Sequence, residues 1–346
     1  MKVIFGSFSS ISLLGGGGAV QVNSLANALK QTDVTVELFD PWKKYRFEEY
    51  SLFHLFVAHN GTYHLGRSVK HLNMKLVLTP VFYSRRNILQ LKIVTKVGQL
   101  LRRVGGIWTE HLFCKELCDL ADLILANTDE EIKLICNGLG ISSKKVAKLL
   151  NGVDKTFYFA SPELFTRQYQ IKDFVLYVGH IGWGRKNLLP LIKILKNKRI
   201  PAVLIGPVLN TNYGRRCLEL ISSAPNIKLI PGLAPGSELL RSAYAACDTF
   251  VLPSFYETPG LAALEAALAG AKICITQYGG TKEYFGKYAF YLNPNSTKSI
   301  ADAIEKALSY QKSNELKEYI YQHFTWERCA SILAETYRHL INRGNL

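Results

Sequence analysis

An α/β fold with two doubly wound parallel sheets is the architecture that this sequence predicts, on three observations. Short apolar runs alternate with amphipathic stretches along nearly the whole chain, the pattern of strands joined by crossover helices. At 346 residues the chain is long for one domain and comfortable for two. Between residues 151 and 173, Asn-Gly and Ser-Pro turn signals coincide with a loss of periodicity, which marks a boundary.

In chain order, the strand candidates of the first half are Val3–Phe5, Val34–Phe39, Leu52–Val57, Lys75–Thr79 and Leu123–Ala126. Those of the second half are Phe174–Val178, Ala202–Ile205, Ile227–Ile230, Thr249–Leu252 and Lys272–Ile275. The first of them is read as a buried strand rather than a signal peptide, because Ser7, Ser9, Ser10 and Ser12 break the apolar stretch and no clean cleavage site follows. Residues 326–342 read as a terminal helix with Cys329, Ile332, Leu333, Tyr337 and Leu340 on one face. The expected division is 1–160, 161–325 and a last segment, 326–346.

Apolar residues make up 48% and charged residues 20%, a globular rather than a disordered balance. Seven cysteines are scattered; Cys114 and Cys118 lie four apart, but no second Cys/His pair completes a zinc site, so reduced core thiols in a cytosolic protein are expected. No uninterrupted apolar run of the ~18 residues needed to span a bilayer occurs.

The net charge of +15 is unevenly spread: between Glu49 and Glu110 there is no acid, but nine Lys or Arg and four His. Such a one-signed stretch attracts anionic partners. Within it, residues 85–103 interleave Ile88, Leu89, Leu91, Ile93, Val94, Val97, Leu100 and Leu101 with basic side chains. Two readings stay open: a basic amphipathic helix on an anionic membrane surface, or a crossover helix with a solvated outer face. Nucleic acid is not an expected partner, since no helix-turn-helix, zinc or stacked-aromatic motif accompanies the charge.

The most informative segment is residues 253–266, Pro-Ser-Phe-Tyr-Glu-Thr-Pro-Gly-Leu-Ala-Ala-Leu-Glu-Ala, which follows the strand Thr249–Leu252. Pro259 suits a first helical turn and Gly270 a helix exit, so a helix is expected over 259–269. Glu257 then stands at the helix mouth, with Glu265 about two turns further in. Free N–H groups at such a mouth favour phosphate, and carboxylates beside them accept hydrogen bonds from sugar hydroxyls. Two glutamates eight apart on a helix face are weak evidence alone; the strand, the Pro-Gly turn and the Leu-Glu-Ala in register carry the reading.

This segment resembles the Glu-x7-Glu signature of the retaining nucleotide-sugar glycosyltransferases of family four. The resemblance covers most of the C-terminal half strongly and the N-terminal half loosely. It implies the GT-B fold: two Rossmann-like domains facing across a cleft, the first binding acceptor, the second binding a nucleotide sugar, with the terminal helix returning to the N-terminal domain. Further matches are residues 121–127 (Ala-Asp-Leu-Ile-Leu-Ala-Asn), Asn151-Gly-Val-Asp154 and Gly279-Gly-Thr-Lys-Glu283.

The resemblance also implies site roles. Glu257 would orient the sugar hydroxyls and Glu265 would accept the ribose hydroxyls. Lys186, with Arg185 and His180, would neutralise the leaving diphosphate, assisted by N–H groups near Thr258, Pro259, Gly260 and Leu261. The four-glycine run at 15–18 aligns its Gly16 and Gly17 with a loop that domain closure brings to the diphosphate's other side. The loop after Ile227–Ile230, residues 232–238, would lie beside the base, which can be uracil or guanine.

Two departures stand out. His180 occupies the position where the family carries an arginine, and residues 80–84, Pro-Val-Phe-Tyr-Ser, lack a histidine that many relatives carry there. His54, His59 and His111 are nearby in sequence, and no spacing selects among them.

No Asp-x-Asp occurs, so no divalent ion or other cofactor is expected. The expected activity is retaining, metal-independent transfer of a sugar from a nucleotide-diphosphate donor to a hydroxyl of a glycan or lipid-linked acceptor. The expected setting is cytoplasmic, with peripheral attachment to the inner face of the membrane under the membrane reading of 85–103. The rival is a non-catalytic carbohydrate- or nucleotide-sugar-binding relative of the same fold.

Overall fold

The computed structural model describes residues 1–14 and 16–342; Gly15, the first of the glycine run, lies outside the described residues. The chain divides into two compact units. Unit 1 comprises residues 1–152 with the last helix, Trp326–Asn342, and unit 2 comprises residues 153–325.

Unit 1 is built on β1 (Lys2–Gly6), β2 (Thr35–Leu38), β3 (Leu52–Phe56), β4 (Leu76–Thr79), β5 (Leu123–Ala126) and β6 (Val146–Lys148). They form one parallel sheet in the order β2-β1-β3-β4-β5-β6. Unit 2 is built on β7 (Val175–Val178), β8 (Ala202–Ile205), β9 (Ile227–Ile230), β10 (Thr249–Leu252), β11 (Lys272–Thr276) and β12 (Phe290–Leu292). Its sheet is parallel throughout, in the order β12-β11-β10-β7-β8-β9. Both sheets are doubly wound. Their order reverses between β1 and β3 in unit 1 and between β7 and β10 in unit 2, and such switch points open a crevice at the carboxyl ends of the strands.

Crossover helices cover the sheet faces, so β3, β4, β8, β10 and β11 are buried along their whole length and read as largely apolar runs without alternation, with His54 of β3 and Lys272 of β11 buried among them. Among the described residues the sheets hold twelve strands where ten were expected. The two additions, β6 and β12, are three-residue edge strands with only one fully buried side chain between them. An edge strand so short buries too little to show an apolar run.

The terminal helix packs on the helix Gly17–Leu29 within unit 1. Its buried face is Trp326, Cys329, Ala330, Leu333, Ala334 and Tyr337, whereas Ile332 is 44% exposed, which corrects the expected face. The small Ala330 and Ala334 take the buried positions, allowing close helix approach. Tyr337 is fully buried, and its hydroxyl lies 2.5 Å from Nδ1 of His54, whose Nε2 lies 2.8 Å from Oγ1 of Thr79. Arg338 donates to Asp33 at 2.8 Å at the surface. All seven cysteines are free, and all but Cys136 are buried. Burial pushes the thiols of Cys217 and Cys247 up, that of Cys247 to about 12. Among the described residues no helix is long and apolar enough to cross a membrane.

Candidate functional site

The switch point of unit 2 lies between β7 and β10, which are hydrogen-bonded neighbours although about seventy residues separate them. The loops leaving their carboxyl ends therefore emerge side by side. One, after β7, carries His180, Arg185 and Lys186; the other, after β10, carries Glu257. The backbone joins them, Phe255 N donating to Arg185 O at 2.9 Å. The Arg185 guanidinium donates to the Tyr256 carbonyl at 3.0 Å and lies over the Tyr256 ring, 5.1 Å from its centroid.

Lys186 Nζ then donates to Glu257 Oε1 at 2.7 Å, while Arg185 Nη1 stands 3.6 Å from the same oxygen. Glu257 is only 6% exposed. Burial alone would raise its carboxyl, but Lys186 and Arg185 outweigh that and hold it below the usual carboxylate range. Lys186 is pushed below its ordinary value by burial and by Arg185, against the pull of Glu257. One carboxylate with two cations leaves a net charge of about +1 facing the crevice, suited to an anion.

The loop after β11 fixes Glu257 from the other side through an isolated bridge to Gly279. Its backbone N–H donates to the Tyr278 carbonyl at 3.2 Å, and Gly280 N donates back to the Glu257 carbonyl at 3.0 Å. Gly279 (φ +87°) makes this approach possible: a Cβ there would sit 2.0 Å from the Glu257 carbonyl oxygen. Tyr278 and Gly279 belong to the site, and the Gly-Gly of residues 279–280 is the signal in the sequence that points to them.

The helix after Glu257 runs Leu261–Leu268, not 259–269. Gly260 precedes it with φ +85°, a left-handed conformation that breaks continuity with Pro259. Thr258 and Pro259 are thus loop residues, and Glu265 stands about one turn inside the helix rather than two. The Gly260 carbonyl accepts from Ala263 N (2.8 Å) and Leu264 N (3.2 Å). The N–H groups of Leu261 and Ala262 belong to the first turn, where the helix offers them no carbonyl.

Glu265 is half-buried and accepts from the Tyr244 hydroxyl at 2.8 Å. Burial pushes its carboxyl up to about 7, with Asp154 adding to the rise and Tyr244 opposing it. Tyr244, on the helix Glu238–Ala246, carried no signal in the sequence that marks it as this partner.

His180 stacks on Trp183, ring centroids 4.4 Å apart and 13° from parallel. Its carbonyl accepts from the buried Tyr177 hydroxyl at 3.1 Å, which fixes the turn after β7. Burial, then Lys186, lowers the imidazole pKa, so before ligand enters it is a neutral hydrogen-bonding group rather than a substitute cation. The loop after β9 is largely exposed, and Ser237 caps the helix that follows it.

Gly16 and Gly17 belong to unit 1, at the carboxyl end of β1. Gly16 (φ +93°) precedes the helix Gly17–Leu29, and a Cβ there would meet nothing within 4 Å. The three histidines have distinct settings: His54 is core, and His59 caps the helix Asn60–His71 by accepting from Gly61 N at 2.8 Å. His111 lies edge-on to Phe82, its Nε2 3.5 Å from Ser84 Oγ, against the loop at 80–84. That loop is held by Glu131, 1% exposed, which accepts from Phe82 N at 2.6 Å and Asn127 N at 2.7 Å.

Residues 165–323 match the family model described as glycosyl transferases group 1. A D-inositol 3-phosphate glycosyltransferase of Corynebacterium urealyticum is 27% identical over 248 residues, covering 65% of this chain and 58% of that protein. The chain thus spans less than two thirds of that relative's length. In structure, sucrose-phosphate synthase from Thermosynechococcus elongatus aligns at TM-score 0.79 and 18% identity over 99% of this chain and 100% of the other. The Anabaena protein HepE, solved with UDP, aligns at TM-score 0.72 and 18% identity over 98% of this chain and 100% of the other. At such identities the structural matches establish the GT-B fold. The family match covers less than half of the chain, within unit 2.

Proposed function

We propose that this chain transfers a sugar from a nucleotide-diphosphate donor to a hydroxyl of a glycan or lipid-linked acceptor, retaining the anomeric configuration and using protein cations rather than a metal. The observation that carries this reading is the Lys186–Glu257–Arg185 cluster at the switch point of unit 2. HepE has been solved with UDP-glucose, which supports a nucleotide sugar as the donor class.

The diphosphate would lie over the first turn at Leu261 and Ala262 and take Lys186 and Arg185 as its counter-ions. Its arrival re-pairs Lys186: the lysine turns from Glu257 to phosphate oxygen, and Glu257 is left to accept hydrogen bonds from the sugar. The bond between the anomeric carbon and the diphosphate oxygen breaks with its electron pair going to that oxygen. The acceptor hydroxyl oxygen bonds to the anomeric carbon on the same face, and its proton passes to the departing phosphate oxygen. Lys186 and Arg185 stabilise the charge developing there, a contribution of roughly 10²- to 10³-fold for one such donor. Glu265, poised near neutrality, holds the ribose. The base would extend toward the loop after β9, two strands or about 10 Å from β7.

The second reading, a nucleotide-sugar-binding protein without transfer, is favoured by His180 in place of the expected arginine. Thermal-shift screening of UDP- and GDP-sugars identifies the donor by its stabilisation. Radiolabelled transfer and hydrolysis assays with that donor follow. Turnover supports the enzyme; stabilisation without turnover or hydrolysis supports the binding protein; no stabilisation by any nucleotide sugar overturns both.

A further inference from the structure

We propose that the helix Ile88–Gly105 of unit 1 docks this protein on an anionic lipid surface, independently of the donor site. Asn87 caps the helix, accepting from Gln90 N at 2.8 Å while Gln90 Oε1 accepts from Asn87 N at 3.2 Å. Gly106 ends it in the left-handed conformation, and Arg102 and Arg103 in the last turn suit its negative end. The helix is therefore well terminated along a length of about 27 Å.

Only one side of it is packed. Leu91, Thr95 and Gly98 are buried. On the same inner side, Arg102 pairs with Glu116 and lies over the Trp108 ring. At about 100° per residue the opposite side carries Leu89, Ile93, Val97, Leu100 and Val104 within a stripe roughly 80° wide. These five side chains are 67%, 53%, 49%, 61% and 82% exposed. A continuous apolar stripe opposite the packed face is not needed to cover the sheet, so the plain crossover-helix reading leaves it unexplained.

Charge selects the occupant. Lys92, Lys96 and Arg103, all exposed, fall together along one flank of the stripe. No acid occurs between Glu49 and Glu110, and the nearby Glu116 is engaged by Arg102 and by the Tyr63 hydroxyl at 2.6 Å. A second copy of the chain would bring no acid from this stretch to meet the cations, and nucleic acid would make no use of the apolar stripe. A lipid surface with anionic headgroups satisfies both, with the stripe among the acyl chains and the basic flank at the phosphates.

The test is co-sedimentation of the full chain with vesicles of phosphatidylcholine alone and of phosphatidylcholine mixed with phosphatidylglycerol. Two variants are compared, L89Q/I93Q/V97Q and K92E/K96E/R103E, with thermal unfolding showing that each is folded. The wild type is expected on the anionic vesicles, less so in high salt, and not on the neutral ones. The charge variant should lose binding by at least about a hundredfold, from roughly fivefold per basic side chain, and the apolar variant by a similar factor. Failure of the wild type to bind, equal binding to both vesicles, or binding that survives either variant would overturn the proposal. So would a dimer in sedimentation velocity that the apolar variant dissociates while vesicles leave the wild type unbound, since the stripe would then belong to a second copy.

Discussion

The two units share a topology rule but not a chemistry. Each sheet reverses its strand order once and so opens a crevice at the carboxyl ends of two neighbouring strands. In unit 2 the loops leaving that point carry Lys186, Arg185 and a 6% exposed Glu257 in direct contact. In unit 1 the corresponding loops, after β1 and β3, carry no Lys, Arg, Asp or Glu: Ser7 donates to the Phe56 carbonyl at 3.0 Å, and His59 serves as a helix cap. His54, a buried histidine of unit 1, is a core clasp between Thr79 and Tyr337 rather than part of an exposed site. A doubly wound sheet thus supplies the crevice, and only the loop residues decide whether it holds charge.

The largest effect should follow removal of the cation that balances the cluster. Lys186→Ala is expected to lower transfer by about 10²-fold or more. It should also lower stability by about 2–3 kcal/mol, because Glu257 stays buried with only Arg185, 3.6 Å away, to compensate. Steady-state kinetics and chemical denaturation measure the two. A variant with unchanged turnover would remove the distinction drawn between the two switch points.

Next comes the contrast in pH response. Burial lowers the His54 pKa to about 3, so unit 1 favours neutral histidine. Its contribution is full above the unfolded value near 6.5 and is lost as pH falls toward 3. Burial raises Glu265 to about 7, so in unit 2 the folded state holds a proton that the unfolded state has released, and stability is lost as pH rises from about 4.5 to 7. Between pH ~4.5 and ~6.5 the two groups act with opposite sign. Subtracting wild-type from Glu265→Gln unfolding curves should reveal a gain for the variant of roughly 2–3 kcal/mol that develops as pH rises to 7. A pH-independent difference would refute the burial of Glu265 as its cause.

A smaller effect is expected in unit 1. Tyr337→Phe deletes the hydroxyl beside His54 Nδ1 and should cost about 1–2 kcal/mol, with donor affinity unchanged. Thermal unfolding and nucleotide titration on the same variant check both halves of that statement.

Legibility followed how local each determinant is. Fully buried strands such as β8 and β10 stand out as apolar runs; the edge strands β6 and β12, with three residues each, do not. Pro259 resembled a first helical residue, but the left-handed Gly260 moved the start to Leu261, a choice made by the turn geometry rather than by proline. Ile332 fitted the apolar face of the terminal helix by spacing alone, yet Ala330 and Ala334 hold the buried positions. The glutamates and Lys186 could be picked out from their motifs. Their contact could not, because it arises where β7 and β10 become neighbours across 71 residues. The pairing of Glu265 with Tyr244 is tertiary in the same way.

The central claim is that Glu257 serves the sugar while Lys186, its ion-pair partner, serves the diphosphate. Glu257→Gln separates the two, since it keeps the shape and frees the lysine. With the donor identified by thermal shift, calorimetric titration of the corresponding nucleoside diphosphate should give affinity unchanged or tighter than wild type, while transfer falls by about 10²-fold or more. Equal loss of nucleotide binding and transfer, or loss of neither, would contradict the account.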